Sequence, residues 1–106
     1  GCCGALHAHA GRREEARALA RQNIDALLAS PFDAIISNTG GCGATLKEYH
    51  EILEHDAAYH DKAKTFVSRL KDVNEFLASI ELNPRMGKVS RRVTYQDSCH
   101  LCHGQK

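Results

Sequence analysis

Tryptophan is absent from this chain, and its aromatic residues are confined to three tyrosines and three phenylalanines. Single-stranded nucleic acids are gripped on stacked aromatic side chains, so this scarcity argues against a base-binding platform. A dominant charge of one sign is lacking too: 14 Lys and Arg against 13 Asp and Glu leave a formal net charge of +1. That balance gives no electrostatic case for nucleic acid or for an anionic membrane. Every apolar run is only a few residues long, far short of the ~20 that span a bilayer. The first residues also lack the basic segment followed by an apolar one that marks a secretory signal. With 106 residues the chain makes one domain or a piece of one, with room for a small core.

Cysteine, by contrast, is plentiful. Five cysteines, an odd number without a secretory pattern, point to a reducing compartment and to metal or redox use. Cys2 and Cys3 are adjacent and followed by Gly4. Disulfide geometry wants Cα atoms ~5.5 Å apart, so neighbours rarely bond to each other without strain. They are well placed to give two thiolates to one polynuclear centre. Cys42 lies in Gly40-Gly41-Cys42-Gly43, and Cys99-His100-Leu101-Cys102-His103 stands near the end. None of the five sits in an apolar periodic run, a distribution that metal chemistry produces and core packing does not.

Around these groups the pattern predicts an α/β fold: a small open sheet with helical crossovers and Cys loops at the carboxyl ends of strands. Gly1 to Gly11 reads as a glycine-bounded turn with a helical turn around Leu6. Ala16, Ala20, Ile24, Leu27 and Leu28 give an amphipathic helix over 12–30, with Glu14 and Glu15 favourable in its first turn and Pro31 ending it. A short buried strand is expected over 32–37, then the Cys42 loop, then a helix over 44–53 with Leu46, Tyr49 and Leu53 on one face. Cys42 at that helix start should have a lowered thiol pKa. Ala63, Phe66, Val67, Leu70, Val73, Leu77 and Ile80 predict one helix over 57–80, with a local restart at Asp72, where Glu75 completes a capping-box pattern. Val89 to Gln96 reads as a second strand, leading to the Cys99 loop. Parallel strands would bring both Cys loops to one edge, where open α/β sheets bind ligands.

Residue types alone leave several uses open. Cys2, Cys3 and Cys42 suit an iron–sulfur centre, or are free thiols. Cys99-x-x-Cys102 is half of a common zinc site, with Cys2, Cys3 or Cys42 available for the other half. Cys99-x-x-Cys102-His103 also has the spacing of covalent haem attachment, with Met86 as an axial ligand, but the chain lacks the aromatic bulk of a haem pocket. His7, His9 and His100 lie beside cysteines and can tune a centre by hydrogen bonding; His50, His55 and His60 read as solvated. Asp97 is suited to fixing its loop by an Asx-type bond. Arg12, Arg13, Arg17 and Arg21 form a basic face, solvated or else a subunit contact, and Arg91-Arg92 is too short for a phosphate site.

The stretches Gly1-Cys2-Cys3-Gly4-Ala5-Leu6-His7-Ala8-His9-Ala10-Gly11, Asn38-Thr39-Gly40-Gly41-Cys42-Gly43-Ala44 and Val93-Thr94-Tyr95-Gln96-Asp97-Ser98-Cys99-His100 resemble, in order, the cysteine-rich CCG domain of iron–sulfur oxidoreductases. Glycolate oxidase iron–sulfur subunits, lactate-utilisation iron–sulfur proteins and heterodisulfide reductase are its members. The resemblance implies a fragment of a tandem domain: residues 1–98 would end a first CCG unit, and 99–106 would begin a second. It implies an iron–sulfur cluster, of 4Fe–4S type, on Cys2, Cys3, Cys42 and Cys99; Cys102 lies outside the family's core pattern and is kept as a further metal ligand. It further implies electron transfer from a flavin-containing oxidase subunit to the respiratory chain. The partners would be the rest of its own polypeptide and that flavin subunit. The location would be cytoplasmic, peripheral to the inner membrane through the complex. Where family members carry another cysteine three positions after the Cys42 equivalent, Thr45 stands here, which counts against a disulfide-cleaving centre of the heterodisulfide reductase kind.

Overall fold

The computed structural model describes residues 1–104. The elements are α1 (Ala5–His9), α2 (Arg13–Leu28), β1 (Ile35–Ser37), α3 (Gly40–Lys47), α4 (Tyr49–Ile52), α5 (His60–Arg69), β2 (Leu70–Asp72), α6 (Val73–Ala78) and α7 (Cys99–Gly104). β1 and β2 pair in parallel as a two-stranded sheet, Ile35 opposite Leu70 and Ser37 opposite Asp72. This is a helix-rich α/β fold with a short open sheet. Among the described residues no helix is long and apolar enough to cross a membrane.

α2 forms as its periodicity predicts. Ala16, Ala20 and Ile24 are buried on one face, and Leu27 and Leu28 pack at its margin. The basic face of α2 is more than solvated. Arg17 donates from Nε to the Ile52 carbonyl at 3.1 Å, and Arg21 donates to Asp56 at 3.0 Å, so both arginines tie α2 to α4 and its following loop. The core gathers Ala20, Ile24, Ile35, Tyr49, Leu53, Ala63, Phe66 and Leu70, with the Tyr49 and Phe66 rings stacked at 5.4 Å.

The expected helix over 57–80 is broken. α5 ends at Arg69, Leu70–Asp72 extends to pair with β1, and α6 starts afresh. Helical spacing survives the break because Leu70 follows Phe66 by four residues and precedes Val73 by three. The restart at Asp72 is a capping box: its carboxylate accepts from the Asn74 N–H at 2.8 Å, and Glu75 accepts from the Asp72 N–H at 3.2 Å. Lys47 on α3 also donates to Glu75, at 3.1 Å, which ties the new helix to α3. Asp72→Ala is expected to cost about 1 kcal/mol of stability through loss of the cap, read by urea denaturation.

The other expected strand, Val89 to Gln96, is not one. Residues 81–98 are exposed throughout, with Val89 84% and Val93 81% exposed. Nothing in the described residues pairs with them, and β2 takes the place beside β1 that the sequence pattern assigned to them. This outlying segment helps raise the radius of gyration to 16.0 Å; a compact domain of this size has about 13 Å. β1 is also shorter than expected, since Phe32 is half exposed and outside it. The helix after β1 starts at Gly40 rather than Ala44 and turns at Glu48 into α4.

Candidate metal centre

Two segments distant in sequence deliver the thiols. Cys2 and Cys3 precede α1 and turn at Gly4, whose φ of 87° suits glycine and strains any other residue. A Cβ at Gly4 would lie 3.5 Å from the Ala16 backbone, so the turn is also pressed against α2. The Gly4 N–H donates toward Cys2 Sγ at 3.4 Å. Cys42 arrives from the carboxyl end of β1, in the first turn of α3. Cys2 is exposed, while Cys3 and Cys42 are half-buried.

The Cys42 thiol senses the other two. Hydrogen bonding with the Cys3 thiol, then burial, then negative charge on Cys3 and Cys2 push the Cys42 thiol up. The sequence predicts the opposite direction from the helix start alone; the approach of two further thiols and burial outweigh it.

Behind this corner sits Tyr49, fully buried. Its hydroxyl donates to the Cys3 carbonyl at 2.8 Å and accepts from Asn23 Nδ2 at 2.8 Å. The same Asn23 amide donates to the Cys2 carbonyl at 2.8 Å. Burial pushes the Tyr49 phenol up to about 12, the Asn23 hydrogen bond pulls the other way, and the charges of Cys3, Cys2 and Cys42 add to the rise. A phenol whose pKa rises on folding stabilises the fold below its unfolded value, about 10, and loses that contribution as pH climbs through about 12. Thermal melts of the native protein should therefore fall steeply between pH 10 and 12, and Tyr49→Phe should remove much of that fall. Sequence pattern placed Tyr49 only on a helix face with Leu46 and Leu53. The available signal was a tyrosine where a leucine or phenylalanine would pack, since a buried phenol needs a partner.

Cys99 and Cys102 lie on α7 and are exposed. α7 packs against α3: a Cβ at Gly40 would lie 2.9 Å from Ser98 Oγ, and one at Gly104 would lie 3.2 Å from Ala44 Cβ. Small residues on both helices thus bring the Cys99 segment to the helix that carries Cys42. Cys99 and Cys102 are not, however, among the groups that push Cys42 up. Cys99, His100 and His103 rim a shallow open hollow of their own. His7 faces Glu15, with Nε2 at 3.8 Å from its carboxylate, and His9 is exposed. His60, expected to be solvated, is half-buried with Nδ1 enclosed.

Among the described residues no three His, Cys, Asp or Glu side chains converge tightly enough to hold a single metal ion. Four thiolates about 2.3 Å from one zinc lie within about 4 Å of each other. A polynuclear centre spreads its ligands over several metal ions and sets a looser requirement.

Residues 1–47 match the family model described as a cysteine-rich domain, CCG. The probable glycolate oxidase iron-sulfur subunit of Bacillus subtilis (strain 168) is 44% identical over 102 residues, covering 94% of this chain and 23% of that protein. The glycolate oxidase iron-sulfur subunit of Escherichia coli (strain K12) is 36% identical over 109 residues, covering 100% of this chain and 27% of that protein. Lactate utilization protein A of Halalkalibacterium halodurans is 24% identical over 101 residues, covering 94% of this chain and 41% of that protein. The chain thus spans 23–27% of the length of the glycolate oxidase subunits it matches. No solved structure matches it.

Proposed function

We propose, for a chain that carries a CCG cysteine-rich domain related to the iron–sulfur subunits of glycolate oxidase and to lactate utilization proteins, that Cys2, Cys3 and Cys42 are ligands of an iron–sulfur cluster of 4Fe–4S type. The observation that supports it is the approach of two separate segments, the Cys2–Cys3 turn ahead of α1 and the start of α3, whose helices are in contact and whose thiols bear on Cys42. The donor set fits the group, since iron–sulfur clusters are held by Cys thiolates. Exchanging the Cys42 proton for iron would offset the negative charge of Cys3 and Cys2, which adds to hydrogen bonding and burial in pushing that thiol up.

Cys99 is the candidate for a further ligand. By this reading residues 1–98 end one cysteine-rich unit, and 99–106 open the next; Gln105 and Lys106 lie outside the described residues. Cys102 joins it as a metal ligand in that second unit.

When bound, such a cluster carries single electrons. The chain's own residues hold it and shape its surroundings. Tyr49 and the core behind it exclude water from the buried side, while the exposed Cys2 leaves an edge open to a partner. The proposed donor is a flavin-containing subunit that oxidises glycolate or lactate, and the proposed acceptor is the respiratory chain. The location is cytoplasmic, with attachment to the inner membrane through the complex. A disulfide-cleaving cluster is the weaker reading. Thr45, in the place of a further cysteine, is only 5% exposed and supplies no thiolate.

Iron, zinc and acid-labile sulfide per chain, measured on anaerobically purified protein, test the proposal. Iron with matching sulfide is expected. Zinc without sulfide would replace the cluster by a structural site.

A further inference from the structure

We infer that Asn23 and Tyr49 are a positioning pair for the adjacent ligands Cys2 and Cys3, an assignment that rests on the cluster reading above. The two cysteines precede the first turn of α1 and lie outside any regular element. Among the described residues no backbone N–H bonds the Cys2 or Cys3 carbonyl. Both carbonyls are bonded instead by side chains from distant elements. Asn23 on α2 donates to Cys2 at 2.8 Å, and Tyr49 on α4 donates to Cys3 at 2.8 Å. A third bond, also 2.8 Å, joins the pair, with Asn23 donating to the Tyr49 hydroxyl.

This arrangement fixes the peptide planes that follow each cysteine. A peptide plane that rotates carries the neighbouring Cα–Cβ bonds with it, so pinning both carbonyls sets the directions in which the Cys2 and Cys3 thiolates project. The anchor itself is rigid. The Tyr49 ring is fully buried and stacked on Phe66, so its hydroxyl has little freedom to leave the Cys3 carbonyl. Packing alone would be served by phenylalanine at this place; the hydroxyl is explained by the two bonds it makes. Such outer partners of metal ligands are worth about 10–100-fold in metal affinity.

A purely structural role must be separated from positioning. Tyr49→Phe and Asn23→Leu keep volume and remove the bonds. Asp72→Ala, whose cap lies on α6, serves as the control for lost stability without a change at Cys2 or Cys3. On the anaerobically purified, cluster-loaded protein, the rate of iron release to a chelator and the electron paramagnetic resonance spectrum of the reduced form are measured. Both site variants should release iron about tenfold faster or more, with altered spectra. Asp72→Ala should keep the wild-type spectrum and release rate. A loaded wild type whose site variants behave like Asp72→Ala overturns the inference alone. A wild type without iron and sulfide overturns the cluster reading, and the inference with it.

Discussion

Cys42→Ser, in the native protein purified without oxygen, is expected to lose most of its iron and acid-labile sulfide, and Cys3→Ser to do the same. Serine preserves the size of the side chain, so α3 and the turn at Gly4 have no steric reason to move. What it removes is the soft sulfur ligand that iron–sulfur clusters take. Cys3 and Cys42 are the half-buried pair, and hydrogen bonding with Cys3 is the leading cause of the upward push on Cys42, so either loss removes one side of that interaction. Cys102→Ser is the contrasting variant. Its thiol is exposed on α7 and absent from the groups that act on Cys42, so iron held at the Cys2–Cys3–Cys42 corner should stay. Iron at the wild-type level in both Cys3→Ser and Cys42→Ser would sink the ligand assignment. Metal analysis by mass spectrometry with a sulfide assay reads all three variants.

What sequence alone made legible was local. The face of α2 could be read because Ala16, Ala20 and Ile24 repeat at four-residue intervals on a helix long enough to show it. The restart at Asp72 could be read because a capping box joins residues three apart. The placing of Cys42 after a strand followed from the glycines that end the apolar run, though of that strand only Ile35 is buried. The misreadings were at positions decided by distant partners. Leu70-Lys71-Asp72 has no strong strand preference and continues the helical spacing of α5; it is extended because β1 is there to pair with it. Val89 to Gln96 has the alternation of a strand but no strand partner among the described residues. The direction of the Cys42 shift needed the same kind of knowledge. A helix start favours the thiolate; hydrogen bonding with Cys3, burial, and the charges of Cys3 and Cys2 together reverse it. The contacts of the Tyr49 hydroxyl, 26 and 46 residues away in sequence, were beyond any periodicity.

Phe66→Ala should produce the largest loss of stability, about 3–5 kcal/mol, because removing a buried ring leaves a cavity that the surroundings fill only in part. Phe66 is fully buried on α5, within the cluster that joins α2, β1, α4 and β2. A domain of this size has roughly 5–15 kcal/mol in total, so the variant should be partly unfolded at moderate temperature. The effect should also reach the thiols. Phe66 stacks on the Tyr49 ring, and the Tyr49 hydroxyl holds the Cys3 carbonyl, so a cavity beneath that ring frees the anchor of the Cys2–Cys3 turn. Phe66→Leu separates the two consequences. It keeps most of the buried volume, and its cost should stay near 1–2 kcal/mol, consistent with loss of the stacked pair and modest repacking. Urea denaturation gives the stabilities. Alkylation of Cys3 in metal-free protein, under conditions where each variant is folded, reports the anchor. Faster alkylation in Phe66→Ala than in Phe66→Leu is the expected order; equal rates would show that the core and the thiol corner are mechanically independent.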